Sequence, residues 1–283
     1  MMSLYSPERN LKTAAKHQRV HRLGRSSLPG GAIAAGAFVA GHCLGGIAAM
    51  IALHQATVGY GGAPLFPPLT GRFATGSLTA VIGVNGAGKS TLLKTIAGLL
   101  PLQGGSLQFS PYPPPAIAYL PQQLELDRQF PITVGDLVAM GCWRRSGIFG
   151  AITRAQRQQI TQALETVGMA SLARRPLNAL SGGQLQRALF ARLLVQQAPL
   201  ILLDEPFTGI DTATTDLLLQ VIGQLHRQGK TLIAVLHDMA MVAGHFPQAL
   251  MLTPQYCRWG RAEAVLAPDP SEHAAAYRLA VAP

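Results

Sequence analysis

The chain has 283 residues, 48% of them hydrophobic, which is enough for the core of one large globular domain or two small ones. The net charge is +10, but half of it lies in residues 1–49 and the remainder contains no basic run, which argues against a nucleic-acid groove. The three cysteines lie far apart and form no C-x-x-C pair, so we expect a reduced, cytoplasmic chain with neither a disulfide framework nor a zinc site.

Two unusual segments open the chain. Residues 1–27 are polar and basic, with six Lys or Arg side chains against Glu8. Residues 26–71 contain no Asp, Glu, Lys or Arg, and residues 30–53 are rich in Gly, Ala and Ile. A basic segment before an apolar run is typical of a signal peptide or a weak membrane span. Three interpretations remain at this point: an export signal, a membrane-surface tail, or residues outside the working protein.

A pattern of short strands follows. Residues 51–53 and 56–58 are apolar and β-like, and glycines interrupt the chain after them. Tyr60 stands in this region, 29 positions before Lys89. An aromatic ring just ahead of a phosphate loop is placed to stack on an adenine ring, but it is equally typical of an edge hairpin. The residues alone leave both interpretations of Tyr60 open.

A glycine-rich loop with the pattern G-x-x-x-x-G-K-[ST] occupies residues 83–91. A buried-strand pattern precedes it at residues 77–82, and helical apolar spacing follows at residues 91–97. Strand, loop and helix in this order are the context in which the pattern binds phosphate. The alternative is a glycine turn followed by a chance Lys-Ser, and the two flanking elements argue against it.

Each residue type in this loop suits phosphate binding. The glycines allow backbone conformations closed to other residues, so that successive N–H groups converge on one anion at a helix N-terminus. Lys89 would reach the β- and γ-phosphates, and Ser90 the Mg²⁺. The predicted loop residues for nucleotide binding are Gly83, Asn85, Gly86, Gly88, Lys89, Ser90 and Thr91.

A glutamine ends the next strong strand pattern. Residues 104–109 read as a turn and short strand, and residues 116–120 as a second strand that leads to Gln122. A glutamine at the carboxyl end of a core strand is placed to reach a nucleotide's metal and γ-phosphate. A loop glutamine in solvent is the alternative, and Gln122 taken alone favours it.

Residues 124–180 have helical patterns and separate the strands on either side. A short apolar helix is predicted over residues 133–140, and a capping box at residues 153–156 opens a second helix that Gly168 closes. We interpret this stretch as an inserted helical subdomain. Met140, Trp143 and Phe149 would form either its core or an exposed docking patch, and we expect core for most of them.

Polar residues at element ends dominate the next segment. Ser181 and Gln184 form a further capping box at the start of a helix, with Gly182 and Gly183 between them. Taken alone this is a common cap, although the helix start offers free N–H groups to an anion. Residues 200–203 form a buried-strand pattern that ends in Asp204 and Glu205. Two adjacent carboxylates are costly to desolvate unless a cation or a reacting water uses them.

Asp204 as a cation ligand and Glu205 as the residue that activates water fit a phosphoryl-transfer site. Asp211 follows in a turn before a helix predicted over residues 212–228. A core strand over residues 230–236 ends at His237, on the edge of the sheet where the phosphate loop is expected. A histidine there is placed to contact the γ-phosphate, although a lone histidine is more often structural. Residues 248–252 are predicted as the last strand, and the remainder as a short tail.

The order and spacing of these signals resemble those of the ATP-binding cassette (ABC) ATPase, the nucleotide-binding subunit of membrane transporters. The resemblance covers about residues 50–260. It implies an α/β fold: a P-loop NTPase (RecA-like) core, an N-terminal antiparallel β subdomain and an inserted helical subdomain at about residues 124–184. Residue by residue, the resemblance implies that Tyr60 stacks on adenine, that residues 83–91 are the Walker A loop and that Gln122 is the Q-loop glutamine. It implies that the signature consists of Ser181, Gly182, Gly183 and Gln184. It also implies that Asp204 is the Walker B aspartate, Glu205 the catalytic glutamate, Asp211 the D-loop aspartate and His237 the switch histidine.

The same resemblance implies cofactors and partners. ATP and Mg²⁺ would bind, the Mg²⁺ of MgATP being held by Ser90, Gln122 and Asp204. Two copies would form a homodimer that sandwiches ATP, and the dimer would work with a transmembrane permease, and indirectly with a periplasmic metal-binding protein, at the cytoplasmic face of the plasma membrane. Within the family, residues 130–141 and 207–211 resemble metal-cation importers, most closely the zinc importers.

Three alternatives to a zinc importer ATPase remain. The first is an importer ATPase for manganese or iron. The second is a soluble cassette ATPase that acts on ribosomes or chromosomes; such chains usually carry two cassettes or a long coiled coil, and this sequence has one Walker A loop and no heptad run. The third is a module that binds ATP without turnover, and the presence of both Glu205 and His237 argues against it.

The resemblance also bears on residues 1–49, because it begins abruptly at Met50. A cassette that hydrolyses cytoplasmic ATP has no use for an export signal, and the glycines of residues 30–46 weaken a membrane span. We therefore expect residues 50–283 to form the ATPase domain, and residues 1–49 to be disordered and dispensable, or to lie upstream of the true start. A membrane-surface tail remains the alternative.

Overall fold

The structure is a computed structural model that describes residues 49–61, 64–111, 113–122, 131–147 and 150–267. The predicted extension over residues 1–49 lies outside the described residues apart from Ala49, and it stays a prediction. Phe149 also lies outside them. Within the described ranges, no helix is long and apolar enough to cross a membrane.

The described residues form nine strands and eight α-helices, joined by turns and short 3₁₀ segments. In chain order the elements are β1 (Ala49–Thr57), β2 (Leu69–Ala74), β3 (Leu78–Ile82), α1 (Lys89–Ile96), β4 (Gly104–Phe109), β5 (Ile117–Leu120), α2 (Val134–Ala139), α3 (Trp143–Ser146), α4 (Arg154–Thr166), α5 (Gly182–Gln196), β6 (Leu200–Asp204), α6 (Thr212–Arg227), β7 (Thr231–Val235), α7 (Met239–His245), β8 (Gln248–Leu252), β9 (Cys257–Arg261) and α8 (Ala262–Leu266).

A six-stranded sheet forms the centre of the fold, in the order β5-β6-β7-β3-β8-β9. The first five strands are parallel and only β9 runs antiparallel to its neighbour. Every residue of β3, β6 and β7 is buried, as expected for continuous apolar runs covered on both faces. The parallel arrangement places the carboxyl ends of β3, β5, β6 and β7 at one edge of the sheet, which confirms the predicted α/β P-loop core.

The two faces of this sheet pack into separate apolar clusters, because side chains alternate along a strand. Ala80 and Ile82 of β3 belong to the cluster that includes the helical segments, whereas Val81 belongs to the cluster beneath α1 and the smaller sheet. That smaller sheet is antiparallel, in the order β2-β1-β4, and it is the predicted N-terminal β subdomain.

The smaller sheet differs from the prediction in one respect. Residues 51–53 and 56–58 were expected as separate pieces, but β1 is one strand that pairs with both β2 and β4. The interruption is a local irregularity at Gln55, where φ is 48° and the register shifts against both neighbours. A bulge of this kind keeps the strand continuous while breaking its alternation, which is why the sequence pattern looked like two strands.

Capping boxes open two helices of the helical subdomain: the predicted one at Thr153, and one at Thr133 that the sequence analysis did not identify. Thr133 caps α2 and Thr153 caps α4, each with reciprocal side-chain and backbone hydrogen bonds to the residue three positions later. Of the residues expected mostly in its core, Met140 packs against the core, whereas Trp143 is 54% exposed.

The segment after β8 is the other correction. Residues 257–266 were predicted as part of a tail, but they form β9 and α8. Trp259 of β9 packs on Phe73 of β2, with ring centroids 4.7 Å apart, and it lies against Gly71, where a Cβ atom would come within 3.0 Å of the indole. This contact joins the edge of the six-stranded sheet to the antiparallel sheet.

The two tryptophans therefore offer a matched test of that junction. Trp259→Ala is expected to lower the free energy of unfolding by about 2 kcal/mol, because it removes half-buried aromatic contacts between the two sheets. Trp143→Ala removes an exposed ring and should change it by less than about 0.5 kcal/mol. Urea titration followed by circular dichroism measures both. Equal losses in the two variants would show that Trp259 does not join the sheets.

Candidate active site

The phosphate-binding loop spans the turn between β3 and α1. Gly83 has φ 146°, and a Cβ atom there would overlap the carbonyl oxygen of Leu252. Gly88, the residue that caps α1, has φ 89°, and a Cβ atom there would come within 3.0 Å of Leu65. These two positions require glycine both for backbone conformation and for space. The loop can therefore wrap closely around the start of α1.

Lys89 is the first residue of α1 and is only 5% exposed. Its Nζ donates to the carbonyl oxygens of Gly83 and Val84, at 2.8 Å and 2.9 Å. Burial lowers the pKa of Lys89, and the carboxylates of Glu205 and Asp204 oppose that shift. The loop thus holds a buried amine against its own backbone, next to two carboxylates.

Asp204, the last residue of β6, is 1% exposed and accepts hydrogen bonds on both oxygens. The Ser90 hydroxyl donates to Oδ1 at 2.8 Å, and the Tyr119 hydroxyl donates to Oδ2 at 3.1 Å. Burial raises the pKa of Asp204, although the bonds from Ser90 and Tyr119 act in the opposite direction. Burial and the same carboxylate raise the pKa of Tyr119. Asp204 therefore links the phosphate loop to β5.

The sequence did not single out Tyr119. It lies in β5 three residues before Gln122, and its position next to β6 follows from strand order, which the local pattern does not contain.

Glu205 follows Asp204 in sequence but is partly exposed, whereas Asp204 is buried. Gln122 Nε2 donates to Glu205 Oε2 at 2.6 Å, and Thr208 Oγ1 donates to the same oxygen at 3.2 Å. His237 Nε2 lies 2.6 Å from Oε1. The backbone of Glu205 has φ 49°, a left-handed conformation that non-glycine residues seldom adopt. Three elements thus converge on one carboxylate, and two of the three contacts come from residues that the sequence predicted.

Tyr60 lies beside the loop and is 65% exposed. Its hydroxyl accepts a hydrogen bond from Thr91 Oγ1 at 3.3 Å, across 31 residues of sequence. The ring is therefore held at the start of α1 with its face open to solvent, which is a suitable platform for a base.

A cleft of about 680 Å³ gathers these side chains. Ten of the predicted site residues line it, and Leu65 and Thr208, which the sequence analysis missed, line it with them. Gly83 and Asp204 lie behind this surface. The predicted residues that line the cleft are Tyr60, Asn85, Gly86, Gly88, Lys89, Ser90, Thr91, Gln122, Glu205 and His237.

The remaining predicted residues form a second cluster, which does not line this cleft. Ser181 caps α5: its hydroxyl accepts from the backbone N–H of Gln184, and the Gln184 side chain accepts from the N–H of Ser181. Ser181 and Gly182 are exposed, whereas Gly183 is buried so closely that a Cβ atom would lie 3.0 Å from Asp211 Oδ2.

Asp211 completes this second cluster as the cap of α6. Its carboxylate accepts from the backbone N–H of Thr214 at 2.8 Å and from the Thr214 hydroxyl at 2.9 Å, and these bonds lower the pKa of Asp211. A side chain that the sequence missed, Gln186, donates to the carbonyl oxygen of Pro206 at 2.7 Å and so ties α5 to the turn after β6.

Comparison with known proteins assigns the fold to a family. Residues 67–208, half of the chain, match the family model described as ABC transporter. This chain belongs to the ABC transporter family. It is an ATPase of that family, which binds ATP and couples its hydrolysis to transport.

Two curated relatives and one solved structure illustrate the match. The manganese transport system ATP-binding protein MntB of Listeria innocua is 39% identical over 73% of this chain and 88% of its own length. The zinc transport system ATP-binding protein TroB of Treponema pallidum is 40% identical over 69% of this chain and 75% of its own. The structure of a transporter described as metal-chelate type, in an inward-facing conformation, has a TM-score of 0.70 at 29% identity, over 77% of this chain and 85% of that chain.

The buried carboxylate of Asp204 leads to a prediction about stability and pH. Because burial raises its pKa above the ordinary value of 3.8, the folded chain keeps the proton to a higher pH than the unfolded chain does. Stability contributed by this site therefore falls as pH rises through the interval between the two pKa values. Asp204→Asn removes the buried charge and should raise the free energy of unfolding at pH 7 by about 1 kcal/mol.

That gain should shrink as the pH is lowered and vanish below 3.8, where the aspartate becomes protonated in the unfolded state as well as in the folded state. Urea titrations of both proteins at several pH values measure the difference. Asp216→Asn, on the exposed face of α6, is the matched control and should change stability by less than about 0.5 kcal/mol. An Asp204→Asn protein less stable than the wild type at pH 7 contradicts the interpretation.

Proposed function

We propose that the chain hydrolyses MgATP in the cleft between Tyr60 and His237, and that this reaction energises an importer of a divalent metal cation, with zinc as first choice. The observation that carries the hydrolytic part is the position of Glu205. Its carboxylate lies in the same cleft as the phosphate loop, within hydrogen-bond distance of Gln122 and His237. A carboxylate there is placed to act on a water beside a bound γ-phosphate.

ATP would lie along the cleft with its phosphates on the loop. The backbone N–H groups of residues 83–91 and Lys89 Nζ would bind the β- and γ-phosphates, and Tyr60 would stack on the adenine. Lys89 would exchange its two backbone carbonyl partners for phosphate oxygens, which suit an amine better because they are charged.

The residues near Asp204 suit a magnesium ion. Ser90 Oγ and Asp204 Oδ1 are 2.8 Å apart, and with the amide oxygen of Gln122 they offer the hydroxyl, carboxylate and carbonyl oxygens that Mg²⁺ prefers. When bound, Mg²⁺ neutralises phosphate charge and fixes the orientation of the γ-phosphate. The residues that would hold it are Ser90, Gln122 and Asp204.

Hydrolysis then uses the groups around Glu205. Glu205 accepts a proton from the attacking water while the water oxygen bonds to the γ-phosphorus. The bond from that phosphorus to the β,γ-bridging oxygen breaks at the same time. The products are ADP and inorganic phosphate. His237, 2.6 Å from Glu205 Oε1, holds the carboxylate and lies at the γ-phosphate end of the cleft.

A second copy of the chain would complete the site. The exposed Ser181 and Gly182 stand at the N-terminus of a 15-residue helix, where N–H groups favour an anion, but they do not line the cleft of their own chain. In an ATP-sandwiched homodimer, the signature residues Ser181 to Gln184 of one copy would face the γ-phosphate on the other. Asp211, packed against Gly183, would lie at the same interface.

The rest of the assembly follows from the transport function. The dimer would bind a transmembrane permease at the cytoplasmic face of the plasma membrane, and a periplasmic metal-binding protein would deliver the cargo. Relatives named for manganese and for zinc transport support a divalent metal. The resemblance of residues 130–141 and 207–211 to metal-cation importers, most closely the zinc importers, favours zinc over manganese.

Two substitutions separate ATP binding from turnover. Glu205→Gln keeps the shape of the side chain but not its charge, so turnover should fall by at least about 100-fold while ATP still binds. This variant should form an ATP-dependent dimer in light-scattering measurements. Adding Ser181→Arg should return it to an ATP-bound monomer, because the bulky cation blocks the proposed interface.

Turnover of Glu205→Gln within about tenfold of wild type removes Glu205 from the role of base. Loss of ATP binding on Ser181→Arg contradicts the placement of Ser181 across the interface.

The cargo can be tested in the native host. Deleting the gene should impair growth under zinc chelation, and added zinc should restore it. The wild-type gene should complement the deletion and the Glu205→Gln gene should not, which ties the phenotype to hydrolysis. Rescue of the deletion by manganese or iron but not by zinc overturns the choice of metal.

A further inference from the structure

Thr208 is the contact of Glu205 that the proposed chemistry leaves without a role. It is exposed in the turn after β6 and lines the nucleotide cleft. Its hydroxyl donates to Glu205 Oε2 at 3.2 Å, and its backbone N–H donates to the Glu205 carbonyl oxygen at 3.3 Å. Thr208 therefore touches both the side chain and the backbone of the same residue.

The two donors on Oε2 differ in what else they must do. Gln122 donates to Oε2 at 2.6 Å, yet the proposed function also requires the Gln122 amide at the magnesium ion. The amide oxygen would face the cation while Nε2 donates to Oε2, so one amide would serve two partners. Thr208 has no other side-chain partner in the described part of the chain, so its hydroxyl serves Oε2 alone.

Glu205 needs such support because its backbone is in an unusual conformation. With φ at 49°, the residue lies in a left-handed region that is strained for a non-glycine residue. The turn closed by Thr208 N–H holds that conformation, and the Thr208 hydroxyl fixes the rotation of the carboxylate. His237 fixes the other oxygen, Oε1.

We propose that Thr208 is a positioning residue for hydrolysis: its hydroxyl holds Oε2 of Glu205 in the orientation that accepts the water proton. The proposal rests on the proposed function, in which Glu205 is the base. It assigns the hydroxyl of Thr208 a role in turnover, beyond the role of its backbone in the turn.

The test compares variants of the purified full chain in a steady-state ATPase assay. Thr208→Val and Thr208→Ala both remove the hydroxyl, and each should lower kcat about tenfold with KM for ATP unchanged, since a positioned hydrogen bond to a carboxylate is lost. Thr208→Ser keeps the hydroxyl and should recover most of the lost kcat.

The matched control is Thr161→Val, which removes an exposed hydroxyl whose only described contact is the Arg157 carbonyl of its own helix, α4. It should leave kcat and KM unchanged. Thermal melting of all four variants shows whether they fold alike. Because Thr208 is exposed, the stabilities of the Thr208→Ala and Thr208→Val variants should be comparable.

Two results overturn the proposal. One is a kcat for Thr208→Val and Thr208→Ala within about twofold of wild type, and the other is a raised KM with unchanged kcat, which places the hydroxyl on the nucleotide instead. Glu205→Gln separates these failures from failure of the proposed function. If Glu205→Gln abolishes turnover and the Thr208 variants do not reduce it, only the role of Thr208 falls; if Glu205→Gln retains turnover, both fall.

Discussion

The buried carboxylate of Asp204 is the interaction on which the geometry of the site depends. An anion that is 1% exposed is costly to desolvate, and the hydroxyls of Ser90 and Tyr119 compensate for part of that cost. The two bonds bring together the end of β6, the start of α1 and strand β5. Removing water from Asp204 also leaves it with a strong preference for a cation, so the interaction that orders the sheet edge also suits the proposed magnesium ion.

Two adjacent carboxylates have different environments because a strand ends between them. Asp204 is still in β6 and points into the protein, whereas Glu205 is already in the turn, with φ at 49°, and lines the cleft. Asp204 is held by residues of the phosphate loop and β5, and Glu205 by Gln122, Thr208 and His237. One carboxylate is therefore suited to bind a cation and the other to handle a proton.

Local patterns predicted the parts of the site that depend on local chemistry. The glycine loop, the capping boxes at Thr153 and Ser181, and the buried β6 that ends in Asp204 each follow from a few neighbouring residues. Contacts between distant elements were missed, because nothing near Tyr119 indicates that β5 lies beside β6. Strand β9 was missed for a related reason: its sequence, CRWGR, does not alternate, and Trp259 is placed by Phe73 across the sheet junction.

The turn after β6 joins the cleft to the start of α5, which carries the proposed signature residues. Glu205 lies at one end of this turn and Asp211 at the other, six residues later. Helix α5 contacts this turn at two places. Gln186 donates to the Pro206 carbonyl beside Glu205, and Gly183 packs against Asp211. Gly183 leaves no space for a side chain beside Asp211, because a Cβ atom there would lie 3.0 Å from Oδ2. In the proposed homodimer, a shift of α5 would therefore act on the residue next to Glu205 through the bond from Gln186 to Pro206.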